Sequence, residues 1–199
     1  MIILGTNSIK DTGYDVANSC RFNRPDNPVL RKTNGTPSDN NKYTYSCWVK
    51  RAGLGTIQGL IGSLTDENNR GQLEFNSSNQ LNYYENLSGS TSAQVTTTQV
   101  FRDVGAWLNI LLQVDLDQAT ASNRIKMYVN GTQITSFGTA TYPSQGAVSV
   151  IANCTATLGL LVGGSTSNAS TWYNLDGYIA EAVYLDGQAP APTSFGEFD

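Results

Sequence analysis

The alternation of apolar and polar residues from Trp107 to Phe137 predicts three β-strands and the turn that joins two of them. Apolar and polar side chains largely alternate over residues 108–115 and again over residues 124–130, which is the period of a strand with one buried face. Asn130-Gly131 follows and favours a type I′ hairpin turn, because that turn needs a positive φ at both central residues. We expect the third strand to end at Phe137.

Short β-prone stretches of the same kind recur along the chain, and no stretch of ten or more residues has a helical period. About twelve strands at roughly regular spacing predict an all-β fold, a two-sheet antiparallel β-sandwich. We expect a loop over residues 65–70 and a long connection from Phe137 to Asn153. The other predicted strands cover residues 16–22, 29–32, 43–51, 55–63, 72–75, 80–84, 91–100, 158–163 and 178–185.

Length and composition favour one domain. Turn residues are spread evenly over the 199 residues, so we expect a single domain over residues 1–199, with residues 1–15 as an N-terminal extension. The net charge of −4 and the scattered basic residues argue against nucleic-acid binding, which needs clustered Lys and Arg. No apolar run is long enough to cross a membrane, so we expect no membrane insertion.

The absence of histidine excludes several common catalytic sites. A Ser-His-Asp triad, a Cys-His nucleophile and a His-ligated metal all need that residue. The three cysteines cannot all pair, and each lies in strand-like or apolar surroundings. We therefore expect Cys20, Cys47 and Cys154 to be buried reduced thiols.

Four segments resemble one known family. The sequence NSCRFN occupies residues 18–23 and YSCWVKR residues 45–51, RIKMYVNG lies within residues 115–136, and LDGYIAEAVYLDG at 175–187 is followed by SFGEF at 194–198. This pattern resembles the concanavalin A-like lectin/glucanase superfamily in its laminin-G-like jelly-roll form. More narrowly, it is similar to the version that tailed bacteriophages encode as virion structural or fibre proteins.

The resemblance implies a jelly-roll sandwich and a structural role for Glu181. This carboxylate falls on the face of Ile179 and Val183 if the strand alternates, so it needs partners there. Relatives commonly continue beyond the SFGEF motif. Either this protein is a short member of the family, or a longer polypeptide continues past Asp199.

The carboxylates argue against catalysis. Enzymes of the β-glucanase type on this fold place Glu-X-Asp-X-X-Glu on one strand, and this spacing does not occur here. Asp115 and Asp117 share a face, but they lie where a strand runs into a polar loop, so we interpret them as solvated rather than as a catalytic pair. We therefore predict a protein that is not an enzyme, with no catalytic residues.

Calcium and glycans are the ligands to consider. Laminin-G-like domains often bind Ca²⁺ at a rim through carboxylate and carbonyl oxygens, although here neither loop matches a defined motif and hydrated oxygens are the alternative. The candidate ligands are Asp66, Asn68, Asp115 and Asp117. Aromatic rings near loops can stack on sugars, whereas the alternative is that they fill the core or a subunit interface. The candidate rings are Tyr83, Tyr84, Tyr142, Trp172 and Tyr173.

The resemblance implies a virion component that is made in the host cytoplasm. The leading hypothesis is a tail-fibre or receptor-binding module, which binds a host surface glycan and assembles with other virion proteins as a homo-oligomer, with a trimer favoured. The alternative is a capsid decoration or adaptor protein that stabilises subunit contacts. A glycan-degrading enzyme is the weaker alternative.

Overall fold

The computed structural model describes residues 18–33, 35–153, 159–167 and 171–195. These residues form thirteen β-strands and three short 3-10 helices. The strands are β1 Cys20–Phe22, β2 Leu30–Lys32, β3 Lys42–Arg51, β4 Gln58–Asp66, β5 Asn69–Phe75, β6 Gln80–Leu87, β7 Ser90–Val100, β8 Leu108–Asp115, β9 Ile125–Val129, β10 Thr132–Gln133, β11 Phe137–Thr141, β12 Leu160–Val162 and β13 Gly177–Asp186. The 3-10 helices are Arg24–Asp26, Ala121–Asn123 and Pro192–Phe195.

The strands form two antiparallel sheets, which confirms the predicted β-sandwich. The six-stranded sheet has the order β1-β13-β3-β8-β9-β10, and the seven-stranded sheet has the order β11-β7-β6-β5-β4-β12-β2. The apolar core lies between the sheets and receives alternate side chains from most of the strands.

Three tyrosines in this core join the two sheets by hydrogen bonds. The hydroxyl of Tyr43 on β3 lies 3.0 Å from the hydroxyl of Tyr83 on β6. The hydroxyl of Tyr45 donates to the carbonyl oxygen of Leu60 on β4 at 3.2 Å. All three rings are buried. A buried hydroxyl needs a hydrogen-bond partner, and each of these three hydroxyls has one.

A buried carboxylate fixes the connection over residues 147–153. The Glu85 side chain points into the core from β6 and accepts hydrogen bonds from the Ser149 hydroxyl at 2.5 Å and from the Ile151 N–H at 3.2 Å. Burial nevertheless raises the pKa of Glu85, because desolvation outweighs these hydrogen bonds. The segment is thus attached to the inner face of the seven-stranded sheet.

The hairpin at Asn130-Gly131 forms as predicted, but the strand after it does not. The φ angles are 48° at Asn130 and 74° at Gly131, as the turn requires. The third strand is only the two residues of β10. The Ile134 N–H then donates to the Met127 carbonyl, and the Ser136 carbonyl accepts from the N–H of Thr98 in the other sheet. The chain therefore crosses between the sheets, and β11 pairs with β7. The predicted third strand is wrong beyond Gln133, and the connection expected after Phe137 begins only after Thr141.

A β-bulge in β13 overturns the predicted face of Glu181. The register shifts between Ala180 and Val183, and Glu181 adopts a φ of 50°. Ile179 stays opposite Val49 on the inner face, whereas Val183 lies opposite Ser46 on the outer face. Strict alternation fails here because a bulge adds one residue to the strand.

Two further expectations differ from the structure. The predicted loop at 65–70 is a tight turn at Glu67 and Asn68 between β4 and β5, because the strands extend to Asp66 and from Asn69. Cys47 is buried as expected, but Cys20 is exposed because it lies on the edge strand β1. Cys154 and residues 1–15 lie outside the described residues.

The outer face of the seven-stranded sheet carries a folded-back segment, residues 163–167 and 171–175, which we call the wall segment. It contacts β4 by backbone hydrogen bonds, from the N–H of Gly59 to the Tyr173 carbonyl at 2.7 Å and from the N–H of Gly163 to the Leu60 carbonyl at 3.0 Å. Ser165 lies directly over two glycines of β4. A Cβ on Gly59 would overlap the Ser165 backbone nitrogen, and one on Gly62 would lie 2.8 Å from the Ser165 Cβ.

A different part of the chain packs on the outer face of the six-stranded sheet. The Thr44 hydroxyl donates to the Gln188 carbonyl at 2.8 Å, and the Gln113 side chain donates to the Pro190 carbonyl. The chain after β13 therefore crosses part of the outer face of the six-stranded sheet.

We predict that Gly59→Ala destabilises the protein by about 1–3 kcal/mol, because the new methyl group meets backbone that cannot rotate away. Gly138→Ala on β11 is the matched control, since its Cβ would meet nothing within 4 Å. Urea unfolding followed by tryptophan fluorescence measures both. Equal stability of the two variants would show that the wall segment does not pack on Gly59.

Candidate functional site

Two rows of polar side chains cross the outer face of the seven-stranded sheet. The register pairs Glu74 with Asn82 and Asn82 with Thr96 in one row, and Gln72 with Tyr84 and Tyr84 with Gln94 in the next. The residues between them on these strands, such as Leu73 and Val95, point into the core. We call the six side chains of the two rows the polar face; they are Gln72, Glu74, Asn82, Tyr84, Gln94 and Thr96.

The polar face is unusual because most of it is buried although it lies outside the core. The exposed fraction is 3% for Glu74, 7% for Gln72, 7% for Asn82 and 9% for Thr96. Buried polar groups in folded proteins are nearly always hydrogen-bonded, and each exception calls for an explanation.

The hydrogen bonds of the first row leave one carboxylate oxygen free. The Thr96 hydroxyl donates to the Asn82 side-chain oxygen at 2.7 Å, and the Asn82 amide donates to Glu74 Oε1 at 3.1 Å. Glu74 Oε2 and Gln72 Oε1 are buried and have no hydrogen-bond partner among the described residues. These two oxygens can accept hydrogen bonds from a ligand.

Burial raises the pKa of Glu74 to about 7, because desolvation disfavours the charged form. The hydrogen bond from Asn82 and the positive charge of Arg70 act in the opposite direction but only partly offset burial. Glu74 therefore changes its charge near neutral pH at the β5 end of its row on the polar face.

Arg70 links the polar face to the wall segment. Its Nη1 donates to the Ser167 carbonyl at 2.8 Å and to the Glu67 carbonyl at 3.1 Å. The guanidinium carbon lies 5.6 Å from the centre of the Tyr84 ring. The Tyr173 hydroxyl donates to the Ser167 hydroxyl at 3.2 Å. Tyr84 and Tyr173 are therefore connected through Arg70 and Ser167.

Trp172 belongs to the same wall segment. It pairs with Thr166 through an isolated β-bridge, and the Arg31 guanidinium lies 5.3 Å from its ring. The structure thus brings three of the five predicted rings to one side of the sandwich: Tyr84 on the polar face, and Trp172 and Tyr173 on the wall segment.

The other two predicted rings do not belong to this surface. Tyr83 is 1% exposed, and its hydroxyl is bound to Tyr43 inside the core, so a ligand on the surface does not reach it. Tyr142 is half-buried and packs against the core after β11. We therefore exclude both from the candidate site.

Asp115 and Asp117 do not fit a calcium ion. The Lys42 ammonium lies 3.6 Å from Asp115 Oδ1 and 3.9 Å from Asp117 Oδ2. Asn41 and Gln118 donate to the remaining carboxylate oxygens at 2.9 Å. A cation and two amides already satisfy the oxygens that a calcium ion would need.

Asp66 and Asn68 do not fit one either. Both Asp66 carboxylate oxygens accept from the Asn69 amide, and Oδ1 also accepts from the Asn68 N–H at 2.8 Å, which closes the tight turn. In the part of the chain that the structure describes, no group of three or more Cys, Asp or Glu side chains could hold a metal ion. The structure does not support a calcium site at either place.

Sequence reasoning missed the polar face except for Tyr84. A signal was present, because Gln72, Glu74, Asn82 and Tyr84 alternate with Leu73, Phe75, Leu81 and Tyr83 in the predicted hairpin. Outward Gln, Glu and Asn are also typical of any solvated sheet face, so the pattern alone does not indicate a site.

A second aromatic surface lies on the outer face of the six-stranded sheet. Trp107 and Tyr178 are 38% and 37% exposed, and their ring centres are 6.4 Å apart. The Arg21 guanidinium lies 5.1 Å from the Tyr178 ring and 2.9 Å from Asp176. These rings contact each other at a tilt of 58°, so they do not form a flat platform.

A family model identifies the class of protein. The model of Laminin_G_3, described as the concanavalin A-like lectin/glucanases superfamily, matches residues 27–187. The match covers well over half of the chain, and the chain therefore belongs to this superfamily. No curated protein matches the chain.

Solved structures share the fold at low sequence identity. The NanB sialidase of Streptococcus pneumoniae, in a mutant form, has a TM-score of 0.61 at 14% identity, covering 88% of this chain and 26% of the sialidase chain. The Ruminococcus gnavus IT-sialidase CBM40, bound to alpha2,3 sialyllactose, has a TM-score of 0.56 at 14% identity, covering 89% and 95%. The heptameric SAP-like pentraxin of Limulus polyphemus has a TM-score of 0.53 at 13% identity, covering 79% and 69%.

Within the described ranges, no helix is long and apolar enough to cross a bilayer.

We predict that Glu74→Gln makes stability less dependent on pH. The folded protein keeps the Glu74 proton up to about pH 7, whereas the unfolded chain loses it near the ordinary pKa of 4.5. The free energy of unfolding of the wild type therefore falls as the pH rises through this window. Between about pH 5.5 and pH 8, the fall should be about 2 kcal/mol smaller in the variant.

Urea unfolding of both proteins at the two pH values measures this difference. Glu85 also has a raised pKa, but its titration changes the free energy of unfolding equally in both proteins and cancels in the comparison. An equal decrease in the free energy of unfolding of both proteins would mean that the pKa of Glu74 is not raised.

Proposed function

We propose that this chain is a carbohydrate-binding domain and that its glycan lies on the polar face beside the wall segment. The observation that carries the proposal is the pair of buried, unpartnered oxygens of Glu74 and Gln72 next to the ring of Tyr84. Sugars need this combination, since hydroxyls pair with polar side chains while the apolar face of the ring packs on an aromatic side chain.

The wall segment adds a side to this surface. Trp172 and Tyr173 lie on it, and Arg70 attaches it to the polar face through Ser167. Ligand sites are usually concave and combine aromatic lining with a few placed polar groups. The superfamily membership and the CBM40 structure with bound sialyllactose make a glycan the natural ligand class to test.

We propose that the domain binds without cleaving. Glycoside hydrolysis needs two carboxyl groups roughly 5–10 Å apart on either side of the scissile bond. The polar face carries one carboxylate, that of Glu74. Its raised pKa suits a general acid, but the face provides no second carboxylate as nucleophile or base.

We predict that Tyr84→Ala weakens glycan binding at least about tenfold, which corresponds to about 1.4 kcal/mol. Tyr178→Ala is the matched control, because this exposed tyrosine lies on the outer face of the other sheet. A glycan array identifies the best binder, and isothermal titration calorimetry then gives Kd for the three proteins. Loss of binding in Tyr178→Ala with retention in Tyr84→Ala would move the site to the six-stranded sheet.

We further propose that the domain serves in a tailed-phage virion as a tail-fibre or receptor-binding module for a host glycan. The support is the resemblance of residues 18–23, 45–51, 115–136 and 175–198 to phage-encoded members of the superfamily. A receptor binder needs an accessible ligand surface, and the polar face with its wall segment provides a candidate. The alternative is a capsid decoration protein that stabilises neighbouring subunits.

On the same resemblance, we propose assembly as a homo-oligomer, with a trimer as the leading state. The described sheets end in edge strands, and the side chains of β2 and most of those of β11 are exposed. Such edges can pair with another chain. Multi-angle light scattering of the purified protein determines the number of subunits.

We predict that antibodies against this domain label the tail of intact particles in electron micrographs. Labelling of the capsid shell would favour the decoration protein instead. The absence of label from particles, with the protein detectable in the infected cell, would contradict both virion roles and leave the glycan proposal to be judged by calorimetry.

A further inference from the structure

The unpartnered atoms on and beside the polar face are mainly hydrogen-bond acceptors. Glu74 Oε2 and Gln72 Oε1 lie on the face, and Asn86 Oδ1 follows Tyr84 on the same side of β6. All three side chains are more than nine-tenths buried. A ligand that satisfies these three oxygens must supply hydrogen-bond donors.

Several donors of the same surface are committed within the protein. The Asn82 amide donates to Glu74, and the Thr96 hydroxyl donates to Asn82. Arg70 Nη1 donates to two backbone carbonyls, and the Asn86 amide donates to the Glu67 carbonyl at 3.4 Å. Among the described residues, the buried side-chain donor that remains here is Arg70 Nε.

The buried unpartnered atoms of this surface are therefore three acceptors and one donor, and this excess of acceptors distinguishes between two classes of glycan. Sugar hydroxyls donate as well as accept, whereas the carboxylate of a sialic or uronic acid and the oxygens of a sulfate only accept at neutral pH. Above about pH 7, where Glu74 is ionised, an acidic group placed against the three free oxygens would leave them unpaired, and it would also face the carboxylate of Glu74.

We infer that the polar face selects a neutral glycan, whose hydroxyls donate to Glu74, Gln72 and Asn86, over its acidic counterparts. This inference rests on the proposed function, since it names the ligand class of the same site. It also distinguishes this chain from the CBM40 structure, whose ligand carries a sialic acid.

Ligand entry requires a local rearrangement. The three oxygens are covered, so a ligand that pairs with them must displace the groups that cover them. Tyr84 and Gln94 are the more exposed members of the polar face.

The test is a titration of matched glycans at pH 8, where Glu74 is mostly ionised. The panel contains lactose and alpha2,3-sialyllactose, and neutral oligosaccharides of glucose, galactose, mannose and N-acetylglucosamine with their uronic, sialylated and sulfated forms. We expect binding to at least one neutral glycan and at least tenfold weaker binding to its acidic form. Tighter binding of an acidic form would overturn the inference and leave carbohydrate binding intact. Binding to no glycan would instead overturn the proposed function, and the inference with it.

One substitution tests whether Glu74 itself accepts a hydrogen bond from the ligand. Glu74→Gln replaces the free acceptor oxygen by a donor of the same shape, so we expect affinity for the neutral glycan to fall roughly ten- to hundredfold. Asp103→Asn, an exposed carboxylate on the loop between β7 and β8, is the matched control and should keep the wild-type affinity. Unchanged binding in Glu74→Gln, with the fold verified by circular dichroism, would show that Glu74 does not receive the ligand.

Discussion

The contact between the wall segment and β4 is the constraint on which the candidate site depends. The segment approaches so closely that Ser165 occupies the space in which Gly59 and Gly62 would carry a Cβ. Two glycines on the outer face of one strand are a cost in a sheet, since glycine lowers strand stability. Here they allow a second layer of backbone on the outside of the sandwich. Without that layer, Tyr173 and Ser167 would have no fixed position beside Arg70, which contacts Tyr84.

Two glutamates of neighbouring strands show what distinguishes a structural carboxylate from a candidate ligand. Glu85 lies inside the sandwich and accepts from Ser149 and Ile151, which fixes a long connection. Glu74 lies outside the core, is almost as buried, and keeps one oxygen without a partner among the described residues. Desolvation raises the pKa of both groups. A buried group that is left unsatisfied lowers stability, so the free oxygen of Glu74 opposes folding rather than favouring it.

Local patterns predicted most strands of this fold because each depends on neighbouring residues. The alternation in β3, β8 and β9 and the Asn130-Gly131 turn are examples. The path of β11 was not predictable in this way, because it depends on the pairing of Ser136 with Thr98, nearly forty residues away in the sequence. A rule of strict alternation does not predict the bulge at Glu181 either.

The candidate site was predictable only in part, for a similar reason. Leu81 and Tyr83 share a face of β6, so the phase of the strand places Tyr83 in the core and Tyr84 outside. The acidic Glu85 on that same inner face obscures the pattern. The importance of Glu74 and Gln72 depends on their burial by the tertiary structure, which no residue type encodes.

The two outer faces of the sandwich differ in how they satisfy their polar groups, and this difference favours one of them as the ligand surface. On the six-stranded sheet, Thr44 and Gln113 donate to the backbone of the chain after β13, and the exposed rings of Trp107 and Tyr178 already contact each other. Asn109 of β8 is buried on that sheet, and both polar atoms of its side chain lack a partner among the described residues. On the seven-stranded sheet, the wall segment contacts β4 and Arg70 but leaves the oxygens of Glu74 and Gln72 unpaired beside Tyr84. Two neighbouring side chains with unpaired acceptors, against a single amide on the other sheet, make the polar face the stronger candidate for a ligand.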